Sequence, residues 1–303
     1  MATFKLLIML KYYLFIFLFI LPLPTSLAQA PRTSDGKELI YNVSIGSIIG
    51  VVGAIINKNK NEKLGKVVLK GFCQGALGGY LTFESKRLVR LSEEENDWKL
   101  IWAAKLVNAA GTSIKENAAL NNNFWEYWHL NFGFSRIELI AKEKLEVKYK
   151  LMPVAFIYTL GVALQSKSKF ELKRTLQNGQ VIFSNSSDLF EKYNTLAATY
   201  PGVIVYKSSE HDNVQLIPHE VIHIFQANDF SVTESFLRKP LANMNAKSKT
   251  LNKINSFIHY DFRYVPFILL NNLEFKNSTY YYQNFFEREA GYFSDTFDQN
   301  LLK

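Results

Sequence analysis

The sequence predicts an α+β protein: a glycine-rich helical N-terminal part, an antiparallel sheet, then a metal-binding region on two helices. Three observations carry this expectation. Small residues recur every three or four positions between 43 and 80. Apolar and polar residues alternate with period two from about residue 136. The run PHEVIHIFQ at 218–226 contains H-E-x-x-H.

The chain begins with a targeting pattern. Lys5 and Lys11 precede an apolar run, Tyr12 to Leu21, then Pro22-Leu23-Pro24 and the small-residue end Ala28-Gln29-Ala30. This is the layout of a cleaved signal peptide over residues 1–30. The uninterrupted apolar run is shorter than the roughly 20 residues a membrane span needs. The expected location is therefore outside the cytoplasm: periplasmic, envelope-associated or secreted.

Residues 31–135 form the glycine-rich helical region. Gly46, Gly50 and Gly53 fall on nearly one helical face, and Gly71, Gly75 and Gly78/Gly79 repeat the spacing after a polar break. Small residues at this spacing let two helices approach closely. The pattern predicts a tightly packed soluble hairpin, since each apolar arm reads as too short to cross a membrane and Lys66 and Lys70 interrupt the second. Membrane association through the hairpin 43–80 is the competing use of the segment. Residues 97–120 read as a further helix. The aromatic cluster Phe124, Trp125, Tyr127 and Trp128 reads as core, with His129 a satisfied histidine.

Residues 136–206 form the β region. The runs RIELIAKEKLEVKYKL, VAFIYTLGVAL and KFELKRTLQNGQVIFSN predict antiparallel strands over 136–184, with Asn178-Gly179 as a hairpin turn. VIVY (203–206) and VQLI (214–217) read as two more strands. Residues 207–303 hold the metal-binding region, which belongs either to a domain of its own or to one domain with the sheet.

Composition excludes several functions. Apolar residues make up 48% and charged residues 20%, so a packed core is expected rather than disorder. The one cysteine, Cys73, excludes an internal disulfide framework and a cysteine-based zinc knuckle. The net charge of +8 comes from scattered residues with no Lys/Arg stripe, which excludes nucleic acid as a partner. A metal site must then use His, Asp or Glu.

H-E-x-x-H supplies such ligands. On a helix, positions i and i+4 share a face one turn apart, so His219 and His223 can reach one ion. Glu220 lies about 100° round, placed to hold a water rather than the metal. Pro218 suits a first helical turn. A catalytic zinc commonly takes three protein ligands. The extended motif with a third histidine is absent, because Gln226 and Asp229 stand at its positions. The third ligand is expected from a second helix within QNFFEREAGYFSDTF (283–297), where the small Ala290 and Gly291 follow Glu287 on its own face. Glu287 is the choice, with Glu289 as the alternative.

The pair HEVIHIFQ and FFEREAGYF resembles the gluzincin-type zinc metallopeptidases, especially bacterial envelope proteins with an H-E-x-x-H-x-x-Q helix and a later E-x-E-A helix. The likeness covers about 25 residues. It implies a zincin-like active-site helix and a second ligand-bearing helix, with Zn2+ as cofactor. His219, His223 and Glu287 would be ligands, Glu220 the general base, and a peptide or protein the substrate. Some relatives carry Asp where Gly291 stands, and that position would support a ligand histidine. His259, Tyr260, Arg263 and Tyr264 are candidate donors to the oxyanion, and a strand at Val214 to Ile217 would seat an extended peptide. The alternative function is a non-enzymatic envelope protein with a relic zincin fold that binds membrane or a protein partner.

Overall fold

The computed structural model describes residues 33–187, 189–192, 195–213, 215–231, 235 and 237–296. The expected signal peptide and Val214 lie outside them. Three long helices come first: α1 (Asp35–Asn57), α2 (Leu64–Glu94) and α3 (Lys99–Ala119). They pack where glycines remove the side chains between them. A Cβ on Gly78 would stand 2.6 Å from Gly111 O, and one on Gly46 would strike the Gly75 carbonyl. The small-residue spacing thus reports a real helix–helix seam. One expectation is corrected. Helix α1 is 23 residues long and apolar enough to cross a membrane by length and composition, so its arm is not too short. The shorter estimate counted only the apolar run and missed the polar first turns. The glycine face of this helix lies inside the bundle.

A three-stranded antiparallel sheet follows, ordered β1 (Tyr127–Phe132), β2 (Ser135–Ala141), β3 (Leu145–Leu151). The period-two stretch produces β2 and β3. The aromatic cluster is not core as expected: Phe124 and Trp125 precede β1 and are exposed, while Tyr127 and Trp128 begin the strand half-buried. His129, beside them, is buried between Ser113 and Thr112. The antiparallel pattern expected to run on to residue 184 is interrupted by a helix and resumes in a second sheet, where Ser168–Phe170 pairs antiparallel with Val181–Asn185. VAFIYTLGVAL lies in helix α4 (Pro153–Ala163), started by Pro153 in its first turn.

Next come β4 (Ser168–Phe170), α5 (Leu172–Asn178), β5 (Val181–Asn185), the short α6 (Leu189–Lys192), β6 (Ala197–Tyr200) and β7 (Val203–Lys207). Asn178-Gly179 is therefore no hairpin turn. Gly179 caps α5 in the left-handed conformation, φ 62°. The second sheet is mixed, in the order β4-β5-β7-β6, with β5 and β7 parallel. The tight turn that leads into β7 sits at Gly202, φ 76°.

The chain closes with α7 (Leu216–Asn228), α8 (Arg238–Lys247), α9 (Lys249–Phe257), α10 (Tyr264–Asn277) and α11 (Phe285–Phe293). Leu216 and Ile217 open α7, so the strand expected at 214–217 is not formed over its described residues. The main core joins Phe83 and Val89 of α2, Ile204 and Tyr206 of β7, Val221, Ile222 and Phe225 of α7, and Ala290 and Phe293 of α11. Helix α7 is consequently buried on every side from Ile217 to Ala227.

Candidate metal centre

Helix α7 brings His219 and His223 one turn apart, with ring centroids 4.9 Å from each other. Helix α11 starts at Asn284, whose side chain accepts from the backbone N–H groups of Phe286 and Glu287. This cap fixes the first turn of α11, and that turn carries Glu287. Its Oε2 lies 3.3 Å from Nε2 of His219 and 3.3 Å from Nε2 of His223. One ligand atom from each residue falls within 4.8 Å of the others, and all three residues are buried.

Glu289 does not join the set. Its carboxylate accepts from Lys86 Nζ at 2.8 Å and from Gln226 Nε2 at 2.9 Å. The two acids of E-x-E thus face opposite ways round the helix, one to the imidazoles and one to the bundle.

Each imidazole is held from behind. His223 Nδ1 donates to Gln226 Oε1 at 2.8 Å. His219 Nδ1 faces Thr296 Oγ1 at 3.3 Å and Ser294 Oγ at 3.4 Å. These two hydroxyls occupy the supporting role that Gly291 cannot fill. Both rings then present Nε2 to the common point, as a metal ligand requires.

Electrostatics favours a cation there. Burial opposes a charged His223, but the adjacent Glu287 carboxylate, its hydrogen bond and Glu220 outweigh burial and hold the ring up at about 9. Burial likewise raises the Glu287 carboxyl, and the two imidazoles overcome that and depress it below the usual carboxylate range. Two imidazole nitrogens and a buried carboxylate oxygen converge on one point. The donor set fits a divalent ion of the borderline type that takes His and carboxylate together.

Glu220 is buried beside this point. Thr199 Oγ1 on β6 donates to its Oε2 at 2.6 Å and to its backbone carbonyl at 3.0 Å. Together with His219 it borders a cavity of about 300 Å³ whose wall includes Thr195, Leu196, Ala197, Tyr281 and Tyr282.

The four expected oxyanion donors lie elsewhere. His259 and Tyr260 line a different cavity beside Glu138 and Arg136. Arg263 donates to Asn228, and Tyr264 accepts from the Gly202 N–H. The hydroxyl that reaches the centre belongs to Tyr281, which donates to Glu287 Oε2. Sequence reasoning missed it, although the run Tyr280-Tyr281-Tyr282 directly precedes the capped helix.

No protein-family model, no curated protein and no solved structure matches this chain.

Proposed function

We propose that the protein is an exported zinc-dependent metallopeptidase. The observation that carries this reading is the convergence of His219, His223 and Glu287, with His219 and the neighbouring Glu220 on the wall of an open cavity. When bound, a zinc ion supplies a water of near-neutral pKa and a Lewis acid for the scissile carbonyl.

The protein's own groups do the rest. Glu220 accepts a proton at its carboxylate and passes it to the leaving amine. The hydrogen bond from Thr199 holds that carboxylate in place against the helix. The Tyr281 hydroxyl stands beside the ligand carboxylate on the cavity wall and is the donor assigned here to the tetrahedral oxygen. Strand β6 ends its sheet, and Ala197 at its start borders the cavity. An extended peptide can pair with this edge and run past Glu220. Burial and the neighbouring Glu287 push the Tyr281 phenol far up, so it stays a donor at every working pH.

Membrane association is a second use of the hairpin 43–80, which exposes Ile48, Leu64, Leu69 and Phe72. The test of the main reading is direct. Purified protein should carry about one zinc per chain and cleave a mixed peptide library, and Glu220→Gln should keep the metal and lose cleavage by a factor of at least about 100. Protein that binds no metal at neutral pH, or cleavage untouched in Glu220→Gln, sinks it. The first outcome would favour the relic envelope protein.

A further inference from the structure

We propose that Lys86, on the glycine-packed helix α2, is a positioning residue for the metal centre, acting through Glu289 and Gln226 on the His223 ring. The inference rests on the metal-centre reading above and assigns a role to the N-terminal bundle.

Lys86 is wholly buried. An ammonium has three hydrogens and no acceptor capacity. All three find acceptors: Glu289 Oε1 at 2.8 Å, Asp229 Oδ2 at 3.0 Å and Asn42 Oδ1 at 3.0 Å. The other oxygen of Asp229 accepts from Lys115 Nζ at 2.7 Å. Two cations thus meet two carboxylates within this hydrogen-bonded set.

What the cluster fixes is direction. With Oε1 of Glu289 engaged by Lys86, Oε2 faces Gln226 Nε2 at 2.9 Å. The same Nε2 also donates to Phe286 O at 2.8 Å. Both amide hydrogens are then used, and the amide cannot turn over without placing its oxygen against two acceptors. Gln226 Oε1 must therefore face His223 Nδ1, 2.8 Å away. An oxygen there demands a proton on Nδ1, which leaves Nε2, 3.3 Å from Glu287, as the nitrogen that would give up its proton to a metal ion. One lysine on the first half of the chain thus selects the tautomer of a ligand on the second half.

A plain structural salt bridge would look similar but behave differently. Removing it would lower stability and leave metal affinity alone. Glu289→Gln separates the two roles. Either orientation of the new amide sets N–H against N–H, at Lys86 or at Gln226, and relief at Gln226 means turning its nitrogen toward His223.

The experiment measures zinc affinity of the full chain by competition with a chromogenic chelator, and the visible spectrum of the cobalt(II) form. Lys86→Met and Glu289→Gln should each weaken zinc binding by about 10–100-fold and alter the cobalt spectrum. Ile49→Ala, which loosens the bundle where Ile49 meets Ala119, should lower stability and change neither readout. Should Lys86→Met fail to fold, Glu289→Gln decides, since it leaves Lys86 paired with Asp229. Folded variants that bind zinc as tightly as wild type, with an unchanged cobalt spectrum, overturn the inference while the metallopeptidase reading stands. Wild type that takes up no zinc overturns both.

Discussion

Among the described residues, two clusters combine buried histidines with buried glutamates, and His223 in one is pushed the opposite way from His129 and His259 in the other. One is the candidate metal centre. The other lies against the first sheet, where His129 Nδ1 is 3.4 Å from Glu116 and His259 Nδ1 is 3.8 Å from Glu138. There Arg136 sits between the acids, 2.8 Å from Glu116 and 2.9 Å from Glu138. Its guanidinium satisfies both carboxylates, and burial together with that cation holds His259 down at about 3 and His129 well below its ordinary range. At the metal centre the acid is met by imidazoles and a phenol, and His223 is pushed the other way. The lesson concerns the cation. Histidine and glutamate together do not make a metal site when an arginine already supplies the positive charge.

The contrast can be broken most severely at the ligands. Glu287→Ala should abolish zinc retention through dialysis, read by metal analysis, because two imidazoles alone leave the ion under-coordinated. Next in size, Arg136→Met should lower unfolding stability by about 3–5 kcal/mol in urea titrations, since it strands two buried carboxylates. Zinc content should be unchanged by it.

A smaller effect is the pH dependence of the metal-free protein, and its two limbs run in opposite senses. His223 has its folded pKa raised to about 9 from 6.5. Its contribution is fully present below pH 6.5 and is lost as pH rises through about 9. His259 has its folded pKa lowered to about 3. Its contribution is present above pH 6.5 and is lost as pH falls toward 3. Melting temperatures after chelation should therefore fall on both sides of neutrality, with His223→Gln flattening the alkaline limb and His259→Gln the acid one. The smallest change belongs to Thr296→Val, which leaves Ser294 to hold His219 and should weaken zinc binding by no more than about tenfold in the same chelator competition.

The parts of the fold visible in the sequence are those where one physical rule dominated. Close helix packing requires small residues at regular spacing, so α1 and α2 announce themselves through Gly46, Gly50, Gly71 and Gly75. Half-buried strands alternate, so β2 and β3 do too. The ligand pair is readable because one ion needs two imidazoles one turn apart. The failures fall where two rules compete. PVAFIYTLGVA is apolar around most of its surface, so neither period shows, and Pro153 at its start was the usable signal. Gly179 serves a helix cap with the same left-handed backbone a hairpin turn would ask for. The choice between Glu287 and Glu289 depended on which way a helix is rolled, and tertiary contacts decide that. Lys86 left a faint trace: it extends the stripe Gly75, Gly79, Thr82, where a long charged side chain among small ones signals a buried partner.

The bond between Asn42 and Glu289 spans 247 positions. Contacts so remote along the polypeptide form late, after the intervening chain has been ordered. A ribosome that has delivered only the early helices has made a scaffold with no closing piece. The candidate metal cluster is therefore completed only with the last helix of the described chain, which carries Glu287.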